Sequence, residues 1–174
     1  LNKSHPHIFP ILDSVLNDDV HTFKTNFNNM ISHVIGLHLK SLVPNLSSSV
    51  YSTLDKQTIN FAHLSNIVAL KGGAIKAEQF LSANMADIFS NLYLAYSVKW
   101  FEENYKVSNV LSEYCINKLI NENQMLFNKI IDNAPIIHKP LICHMKGIVK
   151  YDSYTTNSRI INEIINNQKI MDTF

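Results

Sequence analysis

The sequence predicts an all-α protein, an antiparallel bundle of about five to six helices, and three observations carry that expectation. Apolar residues recur at helical spacing through most of the 174 positions. Short β-branched runs alternating between turn clusters, the mark of strands, are scarce. The four glycines and five prolines punctuate the periodic segments rather than pervading them. With 46% hydrophobic and 17% charged residues, the chain can fill a core and is not disordered by composition.

Taken in order, a first short helix is expected from Pro6 to Leu16. Asn17 or Asp18 caps a second, which carries Val20, Phe23, Phe27, Ile31, Val34, Ile35, Leu37 and Leu42 until Pro44 stops it. The turn "NLSSSVY" offers several N-caps for a third helix from about Val50 to Leu70, with Leu54, Phe61, Leu64, Ile67 and Val68 on its inner face. Gly72 or Gly73 supplies the positive-φ position that commonly ends a helix, so "KGG" reads as a stop followed by a restart.

The fourth helix, about Lys76 to Asn104, is the expected core element and would be roughly 40 Å long. Leu81, Met85, Ile88, Leu92 and Ala95 form one face, and Phe89, Tyr93, Tyr96 and Trp100 form another. Two apolar faces imply burial on most sides. A fifth helix follows from Ser108 to about Asn133, with Val110, Leu111, Tyr114, Leu119, Leu126, Ile130 and Ile131. Pro135 and Pro140 break the pattern before a last amphipathic segment from about Ser158 to Met171. Residues 1–135 read as the bundle and 136–174 as a divergent helical tail, with no internal repeat.

Several function classes fall away. A net charge of +1, with Arg159 as the single arginine, argues against a nucleic-acid partner. Gly36, Gly72, Gly73 and Gly147 assemble neither a G-x-G-x-x-G turn nor a P-loop. No window of roughly eighteen residues is apolar enough for a membrane span. The opening "LNKSHPHIFP" lacks the basic and apolar regions of a secretory signal, and its first residue suggests a trimmed chain or a piece of a longer polypeptide. Cys115 and Cys143 suggest free thiols in a reducing compartment rather than a disulfide.

Candidate chemistry is sparse. His5 and His7 could grip a metal, though a pair near a chain end is more often solvated. His33, His38 and His63 lack the i, i+4 partner or carboxylate of a zinc site. His138, Cys143 and His144 are the densest set of potential ligands, in a spacing that matches no standard zinc pattern. Cys143 and His144 are sequence neighbours, which on a helix do not face each other as a nucleophile and base must. Glu102 and Glu103 read as a solvated helix end. Asp87, midway along a helix expected to be buried, reads as facing a groove or pairing with a polar partner, since an unpaired buried charge is costly. The aromatic stripe could line an acyl or flavin pocket, but core packing is the preferred reading. No catalytic, cofactor-binding or metal residue is assigned.

The stretch "ALKGGAIKAEQFLSANMADIFSNLYLAYSVKWFEE" resembles the C-terminal region of bacterial long-chain acyl-CoA dehydrogenases of the proteobacterial type. The matching residues are Gly72, Gly73, Ile75, Lys76, Leu81, Ser82, Ala83, Met85, Ala86, Asp87, Ser90, Leu92, Tyr93, Leu94 and Ala95. The segment "HPHIFPILDSVLNDDVHTFKTNFNNMISHV" is also similar, so the likeness runs from about Ser4 to Pro135 and loosens beyond. Asn84 stands where the family usually has an arginine.

The resemblance implies a full-length enzyme that oxidises fatty acyl-CoA to trans-2-enoyl-CoA with FAD, in fatty acid β-oxidation. Flavin site and catalytic base would lie in an upstream core, outside this chain, which alone would be inactive and hold no cofactor. The resemblance further implies a homodimeric enzyme in the cytoplasm, with peripheral contact to the inner membrane as a second role for the helices. The alternative is a stand-alone, non-enzymatic helical module that binds a protein or lipid. Ile160, Ile161, Ile164 and Ile165 form an apolar side for such a contact, with only Arg159 and Lys169 as cations.

Overall fold

The computed structural model describes residues 8–105, 108–150 and 153–166. They form seven helices: α1 (Ile8–Leu16), α2 (Val20–Leu42), α3 (Val50–Ala69), α4 (Gln79–Tyr105), α5 (Asn109–Asn133), α6 (Lys139–Ile142) and α7 (Tyr154–Asn166). No strand occurs among the described residues, and the all-α bundle expected from periodicity is the fold observed. The chain divides into two compact units, one up to Val43 and one from Pro44 onward. The segment expected as a divergent tail falls within the second unit.

The first unit is the α1–α2 pair. Asn17 and Asp18 are consumed by the turn: Asn17 N–H donates to Asp13 O and Asp18 N–H to Val15 O. Asp18 sits in the left-handed region at φ 53°. The cap of α2 is therefore neither of the two expected residues but Asp19, whose carboxylate accepts from Thr22 N–H at 3.0 Å. The Thr22 side chain first, and then this N–H, hold the Asp19 carboxyl below its ordinary value. The only described side chains buried in this unit are Ser14 and Ser41, whose hydroxyls donate back to Ile11 O and His38 O. The apolar residues of α2 step along one side as Phe27, Ile31, Ile35, Leu39 and Leu42, and all five are exposed.

The second unit holds the core. Tyr51, Thr58 and Phe61 on α3 meet Glu102, Tyr96 and Phe89 on α4, so the two helices run antiparallel. Leu54, Leu64, Ile67 and Val68 from α3 pack with Ile88, Leu92 and Ala95 from α4. Ile116, Ile120, Phe127, Ile130 and Ile131 from α5 complete the cluster. Gln57, 3% exposed, crosses this core to donate to Ile120 O at 2.9 Å and ties α3 to α5.

The first expected face of α4 is the buried one, with Leu81 and Met85 partly covered. The second is not core. Phe89, Tyr93 and Trp100 are 60%, 67% and 56% exposed, and only Tyr96 is half-buried. The reason is geometric: within this unit α3 and α5 pack against the face of α4 that carries Ile88, Leu92 and Ala95. Asp87, expected to face a groove or pair with a polar partner, is exposed. Glu102, expected as a solvated end, is instead half-buried and accepts the Tyr51 hydroxyl. Burial first, and then that carboxylate, hold the Tyr51 phenol well above the usual tyrosine range.

The "KGG" stop is observed. α3 ends at Ala69, Gly72 adopts φ 54°, and a 3-10 turn spans Gly72–Lys76 before α4 restarts at Gln79, three residues later than expected. Lys71 closes the turn with both Glu78 carboxylate oxygens, at 2.6 and 2.8 Å.

Beyond α6, residues 145–150 form a strap held by one polar side of α5. Gln124 donates to Met145 O, Asn128 exchanges two hydrogen bonds with Gly147, and Asn121 accepts from Lys150 N–H. Those α5 residues recur at i, i+3 and i+7, one helical stripe. A Cβ at Gly147 would lie 2.9 Å from Gln124 Cδ, so a larger residue there would displace the end of that side chain. In α7, Ile160 is buried and Glu163 accepts from the Ser108 hydroxyl at 2.6 Å.

Candidate functional site

Two features of the second unit could meet a partner. The first is a cleft of about 460 Å³ where α3 and α5 end and α4 begins. Leu64, Ile67 and Val68 from α3, Leu81 from α4, Ile130 from α5 and Ile142 from α6 make its apolar surface. Polar residues stand in the same lining: the Lys71–Glu78 pair, Asn84, Lys129, Asn133 and His138. Its size and its mix of apolar surface with a few polar groups are those of small-molecule sites.

The cleft follows from local sequence. Gly72 and the 3-10 turn displace the start of α4 from the end of α3, and Pro135 ends α5 opposite them. Asn84 is 9% exposed and lines the cleft, and no hydrogen bond of the described residues engages its amide. The one departure from the family pattern noted in sequence thus falls in the cleft lining. Asp87, three residues on, is exposed and does not line the cleft.

The second feature is the open side of α4. Phe89, Tyr93, Leu94, Trp100, Phe101 and Tyr105 are all exposed, and the last three cluster. Phe101 and Tyr105 stack at 4.7 Å, and Trp100 meets Tyr105 edge-on at 5.9 Å. Contiguous exposed apolar surface of this kind marks an interaction site.

The candidate ligands do not converge. His5 and His7 lie outside the described residues. No group of three or more histidine, cysteine, aspartate or glutamate side chains that could hold a metal occurs among the described residues. His63, 1% exposed, faces Leu141 O through Nε2 at 3.1 Å and stacks on His144 at 6.0 Å. His138 lines the cleft, while Cys143 is exposed with its Sγ 3.8 Å from Pro140 O. Cys115 and Cys143 are free thiols. Among the described residues no helix is long and apolar enough to cross a membrane.

Sequence reasoning missed the cleft, because its walls come from four helices and the turn between two of them. The signal present was Asn84, an uncharged amide where a long cation was expected.

No solved structure matches the chain. The family model for acyl-CoA dehydrogenase, C-terminal, bacterial type, matches residues 2–151. That span carries the likeness past Pro135 to the end of the strap on α5. With α3, α4, α5 and the cleft all inside the match, the chain belongs to the bacterial-type acyl-CoA dehydrogenase C-terminal family.

Proposed function

We propose that this chain is the C-terminal helical domain of an FAD-dependent acyl-CoA dehydrogenase, with the open side of α4 packed against the catalytic core of that enzyme. The family match carries the enzyme context, and the exposed stripe Phe89, Tyr93, Trp100 carries the packing role. Dehydrogenation of fatty acyl-CoA to trans-2-enoyl-CoA belongs to the core in this reading, and the domain contributes structure. Aromatic side chains suit that task, since each covers a large apolar area and leaves a polar edge for the rim.

The cleft is too small for flavin adenine dinucleotide. The cleft holds roughly fifteen water-sized groups, far short of a dinucleotide. No step of the reaction is assigned to a residue of this chain.

The test places Tyr93→Glu and Trp100→Glu together in the flavin-containing enzyme. The expected result is lost flavin retention and altered subunit assembly, with the helix content of the isolated chain unchanged. An enzyme of unchanged native mass and flavin content would overturn the packing role. Flotation with anionic liposomes separates this reading from membrane contact, because a chain that floats in the same amount after both substitutions does not use α4.

A further inference from the structure

We infer that the cleft between the ends of α3 and α5 and the start of α4 binds a small unbranched aliphatic carboxylate. This does not rest on the dehydrogenase reading, since every residue used lies in this chain and away from the aromatic side of α4.

Volume and lining set the body of the ligand. About 460 Å³ accommodates roughly fifteen non-hydrogen atoms at the share of one water each. Leu64, Ile67, Val68, Leu81, Ile130 and Ile142 offer branched aliphatic side chains. Phe80 is the single aromatic of the lining, so the surface suits a flexible hydrocarbon better than a stacked ring.

The polar residues set the head. Lys71, Lys129 and His138 line the cleft against one carboxylate, Glu78, which Lys71 already engages. Lys129 has no carboxylate partner among the described residues. Gln79, Phe80 and Leu81 in the lining are the first turn of a 27-residue helix, whose N–H groups have no intrahelical acceptor and favour an anion. Asn84 supplies the independent pointer: a residue about nine-tenths buried that lines the cleft, with no hydrogen bond from its amide to the described residues. An amide that lines a cleft without a protein partner can donate to an oxygen ligand there. A long cation at this position would project into the cleft, and asparagine leaves that space open.

The experiment is calorimetric titration of the 174-residue chain with decanoate, decan-1-ol and decyltrimethylammonium, each below its aggregation concentration. Decanoate is expected to bind saturably, one per chain, at least tenfold tighter than the alcohol, with no saturable binding of the cation. Lys129→Glu, on an exposed position, should weaken decanoate about tenfold at low salt and leave the alcohol unchanged. Asn84→Leu should weaken it further, with circular dichroism checking the fold. Equal binding of cation and carboxylate would overturn the inference. So would absence of decanoate binding, which would leave the cleft to a segment of another protein, or a Lys129→Glu chain with unchanged affinity.

Discussion

The two units of this chain are built from helices of the same amphipathic kind, yet only one has an apolar core. From Pro44 onward, fifteen of the described apolar side chains are buried, drawn from α3 to α7 and the turn after α6. Up to Val43, no described apolar side chain is, although α2 alone carries Phe27, Ile31, Ile35, Leu39 and Leu42 in a line. Three packed helices close around their inner faces, whereas a pair can cover only the seam between them. Periodicity therefore shows that a helix has an apolar side, and the number of neighbours decides whether that side is interior. α4 repeats the lesson within one helix, buried at Ile88 and open at Phe89.

The largest expected effect lies in the core. Phe127→Ala, at a side chain 1% exposed, should cost about 3–5 kcal/mol by chemical denaturation. Ile35→Ala in the first unit should stay within about 0.5 kcal/mol. Equal losses at the two positions would break the comparison. Within α4, Ile88→Ala should cost about 2–5 kcal/mol, while Phe89→Ala next to it should cost less than about 1 kcal/mol.

Gln57→Ala comes next, at about 1–3 kcal/mol, because it removes a buried side-chain bond from α3 to the α5 backbone. Tyr51 sharpens the pH side. Its folded pKa is raised, so its contribution is fully present below the unfolded value of about 10 and fades as pH rises beyond it. Spectrophotometric titration should find two tyrosines, Tyr51 and Tyr96, that ionise above the usual tyrosine value, and Tyr51→Phe should remove one of them. The smallest effect is at Lys71→Met, about 0–1 kcal/mol, because Glu78 is 40% exposed and water screens the pair.

Much of the fold was legible in the residues. Helix positions followed from spacing, Pro44 and Pro135, and the helix stop followed from the glycine pair. The cap of α2 was misplaced by one or two residues, since which aspartate ends a turn depends on the left-handed Asp18. Phe89, Tyr93 and Trp100 of α4 were misread as core, because apolar residues all around a helix look alike whether a neighbour covers them or not. The cleft was not legible at all, as its residues are up to 78 positions apart, from Leu64 to Ile142, and only packing brings them together. The stripe of Asn121, Gln124 and Asn128 that holds the strap was readable at helical spacing but looks like any solvated helix side.

The most direct test of the central claim is to purify the natural gene product that contains this sequence and measure its mass and absorbance together. The account predicts a polypeptide several times heavier than 19.9 kDa, carrying flavin that bleaches when palmitoyl-CoA is added. A product of about the chain's own mass, without flavin, would contradict it and leave the helices as a stand-alone binding module.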